Sequence, residues 1–223
     1  MQTEKIISSK AVIPAYIATA ALYLVSLNCS PLLQAILKVF PLAILIAALA
    51  LQRREELRTI VWALIFCLLG DIAGEAKILF GDNAFLAQIA LFIVAHILYT
   101  VFFNRYRLPK SSSPRIWKIA AQVALMIFAV AMAAILFYSI DSTAFKIAVG
   151  FYICVLLCMA LFAVAQNRPN CWMYAVGAAF FTISDGLIAL YEFVVQFPHR
   201  HLMVMATYFV ALLFINMDLL KKS

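Results

Sequence analysis

Two stretches of this chain, "CLLGDIAGEAKILF" at 67–80 and "FFTISDGLIALYEF" at 180–193, place carboxylates inside otherwise apolar runs. The first holds Asp71, with Glu75 one helical turn further on. The second holds Asp185, with Glu192 two turns further on, so each pair shares a helix face. Burial disfavours the charged form of a carboxylate, and two carboxyls that share a pocket titrate apart. One then stays protonated while the other ionises, which makes an acid and a base from a single residue type. Glycosidases use this division of labour on an acetal, through an oxocarbenium-like transition state. Serine chemistry has less support: there is no GxSxG, and Ser184, adjacent to Asp185, does not face it on a helix. Metal chemistry has little support either, because the only histidines are His96, His199 and His201, the last two in a predicted loop. The five cysteines show no CxxC pair or other metal spacing.

The elements that must position these groups are membrane helices. The 223 residues are 67% hydrophobic and 12% charged, whereas a soluble domain carries about 25% charged residues. A bilayer core of about 30 Å takes about 20 apolar residues per helix. On that ruler eight spans are predicted, at 11–28, 32–51, 59–80, 84–103, 116–138, 143–166, 171–196 and 202–219. The expected fold is all-α, a polytopic membrane helix bundle forming one integral-membrane domain over 1–223. Its short connections carry turn residues, as in "NCSP", "GDN", "NRPN" and "FPHRH". Lys5 and Lys10 precede the first run as in a secretory signal, but no small-x-small cleavage site follows, so the run is read as a retained helix.

The net charge of +7 is read as topology. Basic residues crowd the connections around 53–58, 105–118 and 168 and both chain ends, against only Lys77, Lys146 and Arg200 on the other side. That asymmetry places both termini in the cytoplasm. The same residues lack the aromatic interleaving of a nucleic-acid surface, so no nucleic-acid partner is expected.

Counting at 1.5 Å per residue puts Asp71 and Asp185 near the bilayer midplane. His96 lies at matching depth in span four, which also carries Gln88 and Tyr99. Span two contributes Lys38, and span eight Tyr208 and Asn216. A charged side chain at that depth costs about 2.5–3.5 kcal/mol on insertion scales. Several helices bearing the cost at one level predict a shared polar pocket, walled from lipid. Its mouth is expected on the non-cytoplasmic side, where Lys38, Glu75, Lys77 and Glu192 lie. Plainer roles exist for some of these residues: an interhelical hydrogen bond for His96, snorkelling for Lys77 and Glu192, a structural ion pair for Lys38 and a helix contact for Asn216.

The same stretches resemble the lysoplasmalogenase family, the YhhN-like multi-span membrane proteins. The resemblance is carried by "LKVFPLAIL" in span two, "LLGD" in span three, "FIVAHILY" in span four, "FFTISDGLIAL" in span seven and "ATYFVALLF" in span eight. It implies hydrolysis of the vinyl ether bond of an alkenyl lysophospholipid, giving a fatty aldehyde and glycerophosphoethanolamine or glycerophosphocholine. Asp71 and Asp185 match the two intramembrane aspartates of the family. Lys38, His96, Tyr99, Ser184 and Tyr208 match polar positions around them, and Glu75 joins them as a pocket residue. Gln88 and Leu212 depart from the pattern, as does the spacing of Lys38 and Pro41.

Protonation of the β-carbon by a neutral carboxylic acid fits that chemistry. The expectation gives Asp185 the donor role and Asp71 the water-orienting role, with the reverse assignment open on the residues alone. Lys38 would meet the phosphate, and His96, Tyr99 and Tyr208 would hold water or the glycerol hydroxyl. No metal or organic cofactor is needed. The expected partners are the lysophospholipid and membrane lipid, and the expected location is a bacterial inner membrane. The rival readings are a proton- or cation-coupled transporter using the same buried charges, and a binding protein without catalysis. Discontinuous helices and repeated halves would favour the transporter, and neither is seen.

Overall fold

A backbone in hydrocarbon must satisfy its own hydrogen bonds, and a chain of apolar runs does so as helices. A computed structural model describes residues 9–107 and 116–220, and within them the regular structure is entirely helical. The elements are α1 (Ser9–Val25), α2 (Pro31–Ala50), α3 (Arg58–Glu75), α4 (Lys77–Phe80), α5 (Asp82–Arg105), α6 (Ile116–Ser139), α7 (Thr143–Val164), α8 (Cys171–Phe193) and α9 (Arg200–Leu220). Among the described residues, eight helices are long and apolar enough to cross a membrane. Lys5, Lys110, Arg115, Lys221 and Lys222, which enter the orientation argument, lie outside the described residues.

The third span differs from expectation. Its helix stops at Glu75, and Ala76 leads into the single turn α4 instead of a continuous helix to residue 80. Hydropathy continues through this break, but the side chains do not follow one axis: Lys77 crosses to Glu192 on α8. Gly81, at φ 56°, then reverses the chain into α5, a conformation that costs glycine little. The α8–α9 connection is also placed differently. His201, expected in a loop, belongs to the first turn of α9.

Helix neighbours run α1–α2–α3–α5–α7–α8–α9 and back to α1, while α6 packs outside this circuit against α7 and α8. Exposed side chains such as Ile127 and Val130 give α6 an apolar outer face, as lipid requires. At one end of the bundle, buried polar groups fasten the α7–α8 turn. Asp218 on α9 accepts from Asn170 Nδ2 at 2.7 Å and from the Tyr174 hydroxyl at 3.0 Å, and Arg168 Nη2 donates to the Tyr106 carbonyl. Asn216 Nδ2 donates to the Leu212 carbonyl in its own helix.

Helices α8 and α9 approach each other closely at Gly177. A Cβ there would meet Ile215 Cγ1 at 2.7 Å and the Ala211 carbonyl oxygen at 2.9 Å. Small residues serve this purpose in membranes, where van der Waals packing holds helices together. Because one obstacle is backbone, Gly177→Val is expected to cost about 1–3 kcal/mol, read as a lower unfolding midpoint of the detergent-solubilised protein. An unchanged midpoint would show that the α8–α9 contact is loose.

Candidate active site

Helices α2, α3, α4, α5, α8 and α9 line a polar cavity of about 410 Å³, with Asp71 and Asp185 both in its wall. On α3, Asp71 and Glu75 stand one turn apart and converge on the Lys38 ammonium of α2. Lys38 Nζ lies 3.4 Å from Asp71 Oδ1 and 2.9 Å from Glu75 Oε1. Lys38 is therefore shared by two carboxylates, the structural pairing that was one of its two expected roles. The Tyr208 hydroxyl of α9 faces Asp71. Both side chains are buried.

Asp185 has a different setting. The Tyr152 hydroxyl donates to its Oδ2 at 2.7 Å, and His96 Nε2 lies 3.2 Å from the same oxygen and 3.0 Å from the Tyr152 oxygen. His96 is fully buried between Phe181 and Phe92, which stack on or edge its ring. Thus α5 and α7 set the position of a carboxylate carried by α8. Sequence reasoning missed Tyr152; a lone tyrosine within "GFYICVLL" gives no sign that it reaches a partner 33 residues away.

The other expected site residues fall into two groups. Glu75, Ser184 and Tyr208 line the cavity, but the Ser184 hydroxyl donates to the Val204 carbonyl at 3.0 Å and so ties α8 to α9. His96 and Tyr99 line neither this cavity nor its neighbour; Tyr99 is buried near Cys67 and Asn216. Gln88 is packed so closely on Gly74 that a Cβ at 74 would meet its Nε2 at 2.7 Å. Leu212 is buried in the core. Among the described residues, no three His, Cys, Asp or Glu side chains converge as a metal site.

A second, apolar cleft of about 70 Å³ lies between α5, α6, α7 and α8, with Leu125, Phe128 and Met132 of α6 along one side. Gln88, Phe92, Asp185 and Ile188 border both spaces. Asp185 therefore stands where the polar cavity meets the apolar cleft, and Asp71 stands only on the polar side.

Fold and site together define an integral membrane helix bundle with paired carboxylates in a cavity that adjoins an apolar cleft. The YhhN family profile matches residues 33–219, and the chain belongs to that family. Among curated proteins it is similar to the human (Homo sapiens) protein Lysoplasmalogenase TMEM86B, 37% identical over 73 residues. That stretch is 33% of this chain and 30% of the human protein, so the match spans less than a third of the relative's length. No solved structure matches.

Proposed function

We propose that this protein is a lysoplasmalogenase, hydrolysing the vinyl ether bond of alkenyl lysophospholipids by carboxylate acid–base catalysis. The observation that carries the reading is the position of Asp185 at the border of polar cavity and apolar cleft. A single-chain ether lipid with its chain in the cleft and its glycerol in the cavity places the vinyl ether at that border. Family membership and the partial likeness to a lysoplasmalogenase support the same substrate class.

The surroundings of the two aspartates support a division of roles between them. Lys38 gives Asp71 a counter-charge, while Asp185 has a hydroxyl and an imidazole beside it. We assign Asp185 as the neutral acid and Asp71 as the carboxylate. Asp185 protonates the β-carbon of the vinyl ether, and the π electrons of the double bond form the new C–H bond. The α-carbon and its ether oxygen become an oxocarbenium ion. Asp71 takes a proton from water as the water oxygen adds to the α-carbon, giving a hemiacetal. The hemiacetal hydroxyl then returns a proton to Asp185, the C–O bond to glycerol breaks, and Asp71 protonates the departing oxygen. One water is consumed, both carboxyls regain their starting states, and the products are an aldehyde and a glycerophosphodiester.

The direct test is aldehyde release from alkenyl lysophosphocholine by detergent-purified protein, with chelator present. Release unaffected by chelator is expected. If well-folded protein releases none from choline or ethanolamine lipids, the reading fails, and proton flux in liposomes becomes the next assay for the same buried charges.

Tyr152 acts in this scheme as a positioning residue, since its hydroxyl holds Asp185 Oδ2. Losing one hydrogen bond of this kind is expected to lower kcat about tenfold in Tyr152→Phe, with KM within about twofold because bulk and ring are retained. A change confined to KM would instead make Tyr152 part of the substrate surface.

A further inference from the structure

The outer rim of the polar cavity carries a charge cluster that the acid–base scheme does not use. Lys77 from α4, Glu192 from α8, and Arg200 and His201 from α9 all face this space. Lys77 Nζ bonds Glu192 Oε2, and Arg200 Nη1 lies 3.1 Å from Glu192 Oε1. Two fixed cations therefore share one carboxylate, which leaves the rim with excess positive charge. On the same cavity wall Asp71 and Glu75 share the single ammonium of Lys38.

The rim cations are held in place by more than their ion pairs. The Arg200 guanidinium sits 4.4 Å from the centre of the Tyr191 ring, and Lys77 Nζ 4.7 Å from that of Phe85. Their side chains keep 26% and 31% of their surface, so both still reach the cavity. A guanidinium has five donors, and the contact to Glu192 engages only part of the fork. The remaining donors suit the oxygens of a phosphodiester, an anion that Arg binds with two parallel hydrogen bonds.

We infer that Arg200, with Lys77, forms the subsite for the phosphodiester of a lysophospholipid headgroup. The inference rests on the lysophospholipid reading and moves the phosphate from Lys38 to the rim. Spacing agrees. Glu192 lies seven residues beyond Asp185 on α8, a rise of about 10 Å. The glycerol bridge from an sn-1 ether oxygen to an sn-3 phosphorus is about 6 Å at ordinary bond lengths, and the rim side chains cover the rest. With the phosphate anchored there, the ether bond falls at Asp185 and the chain continues into the apolar cleft.

The test is binding to the full, detergent-purified chain by a saturated 1-alkyl lysophosphocholine, which has no bond to cleave, beside the phosphate-free 1-alkylglycerol. Wild type is expected to prefer the phosphate-bearing lipid by about tenfold or more. Arg200→Gln is expected to weaken that lipid about tenfold while shifting alkylglycerol less than about twofold, and Arg200→Lys to restore part of the loss. Equal weakening of both lipids, or no effect on either, overturns the subsite. If Arg200→Gln does not fold, Lys77→Gln is held to the same discrimination. Inorganic phosphate as a competitor separates the two sources of the anion. Poor competition is expected, and displacement at equal affinity would assign the rim to free phosphate and overturn the headgroup assignment. Because the probe is not cleaved, a phosphate-selective rim without aldehyde release would sink the enzymatic reading and leave the subsite standing.

Discussion

Asp185→Asn is expected to lower kcat for aldehyde release by about 10³-fold or more, within or beyond the range of one general acid. The unfolding midpoint should stay near wild type. The amide keeps the shape of the carboxyl and still accepts from the Tyr152 hydroxyl, so the contacts holding α7 to α8 survive. What it lacks is a proton to give to carbon. Asp71→Asn is expected to be similarly slow overall, but for a later reason, since the oxocarbenium ion forms and no base draws water onto it.

Heavy water separates the two variants. Substrate recovered from Asp71→Asn should carry deuterium at the β-carbon, because protonation there reverses. Substrate recovered from Asp185→Asn should carry none. Deuterium in the opposite variant would exchange the roles of the two aspartates, and near-wild-type aldehyde release from Asp185→Asn would remove it from the chemistry.

Lys38→Met has the second large effect, and it falls on stability. Without the ammonium, Asp71 and Glu75 face each other one turn apart in one cavity. Removing one partner from a fully buried ion pair costs about 3–5 kcal/mol. The expected cost is about 2–3 kcal/mol, below that range, because Glu75 keeps 34% of its side-chain surface exposed. Adding Glu75→Gln should recover much of the loss, since a single carboxylate then remains. Unfolding midpoints of the two variants in detergent decide it. A Lys38→Met protein of wild-type stability, with only a raised KM for phosphate-bearing lipids, would return Lys38 to the phosphate and leave Arg200 without its proposed role.

The fold class was legible in the chain because hydrocarbon leaves a backbone few options. Eight apolar runs of membrane length become eight helices whatever their neighbours are. The depth expected for Asp71 and Asp185 likewise rests on the sequence, since rise per residue converts position in a run into depth. The orientation expected for the bundle also belongs to the sequence: it rests on where Lys and Arg crowd, and helix packing is the same whichever end faces the cytoplasm. The end of the third span was misread because apolar residues continue past Ala76 while the backbone turns there to carry Lys77 to Glu192.

What only the tertiary structure decided is who meets whom. Hydropathy and periodicity describe one helix at a time, and the site is made of contacts between helices far apart in the chain. His96 reaches Asp185 across 89 residues, and Lys77 reaches Glu192 across 115. Nothing in "GFYICVLL" marks Tyr152 as the holder of a carboxylate, and nothing in "LKVFPLAIL" says whether Lys38 faces a phosphate or two acids. Those outcomes depend on the order in which helices stand around the bundle. That order is set by the summed packing of all of them, so the candidate residues were visible in the sequence and the contacts between them became visible only in the fold.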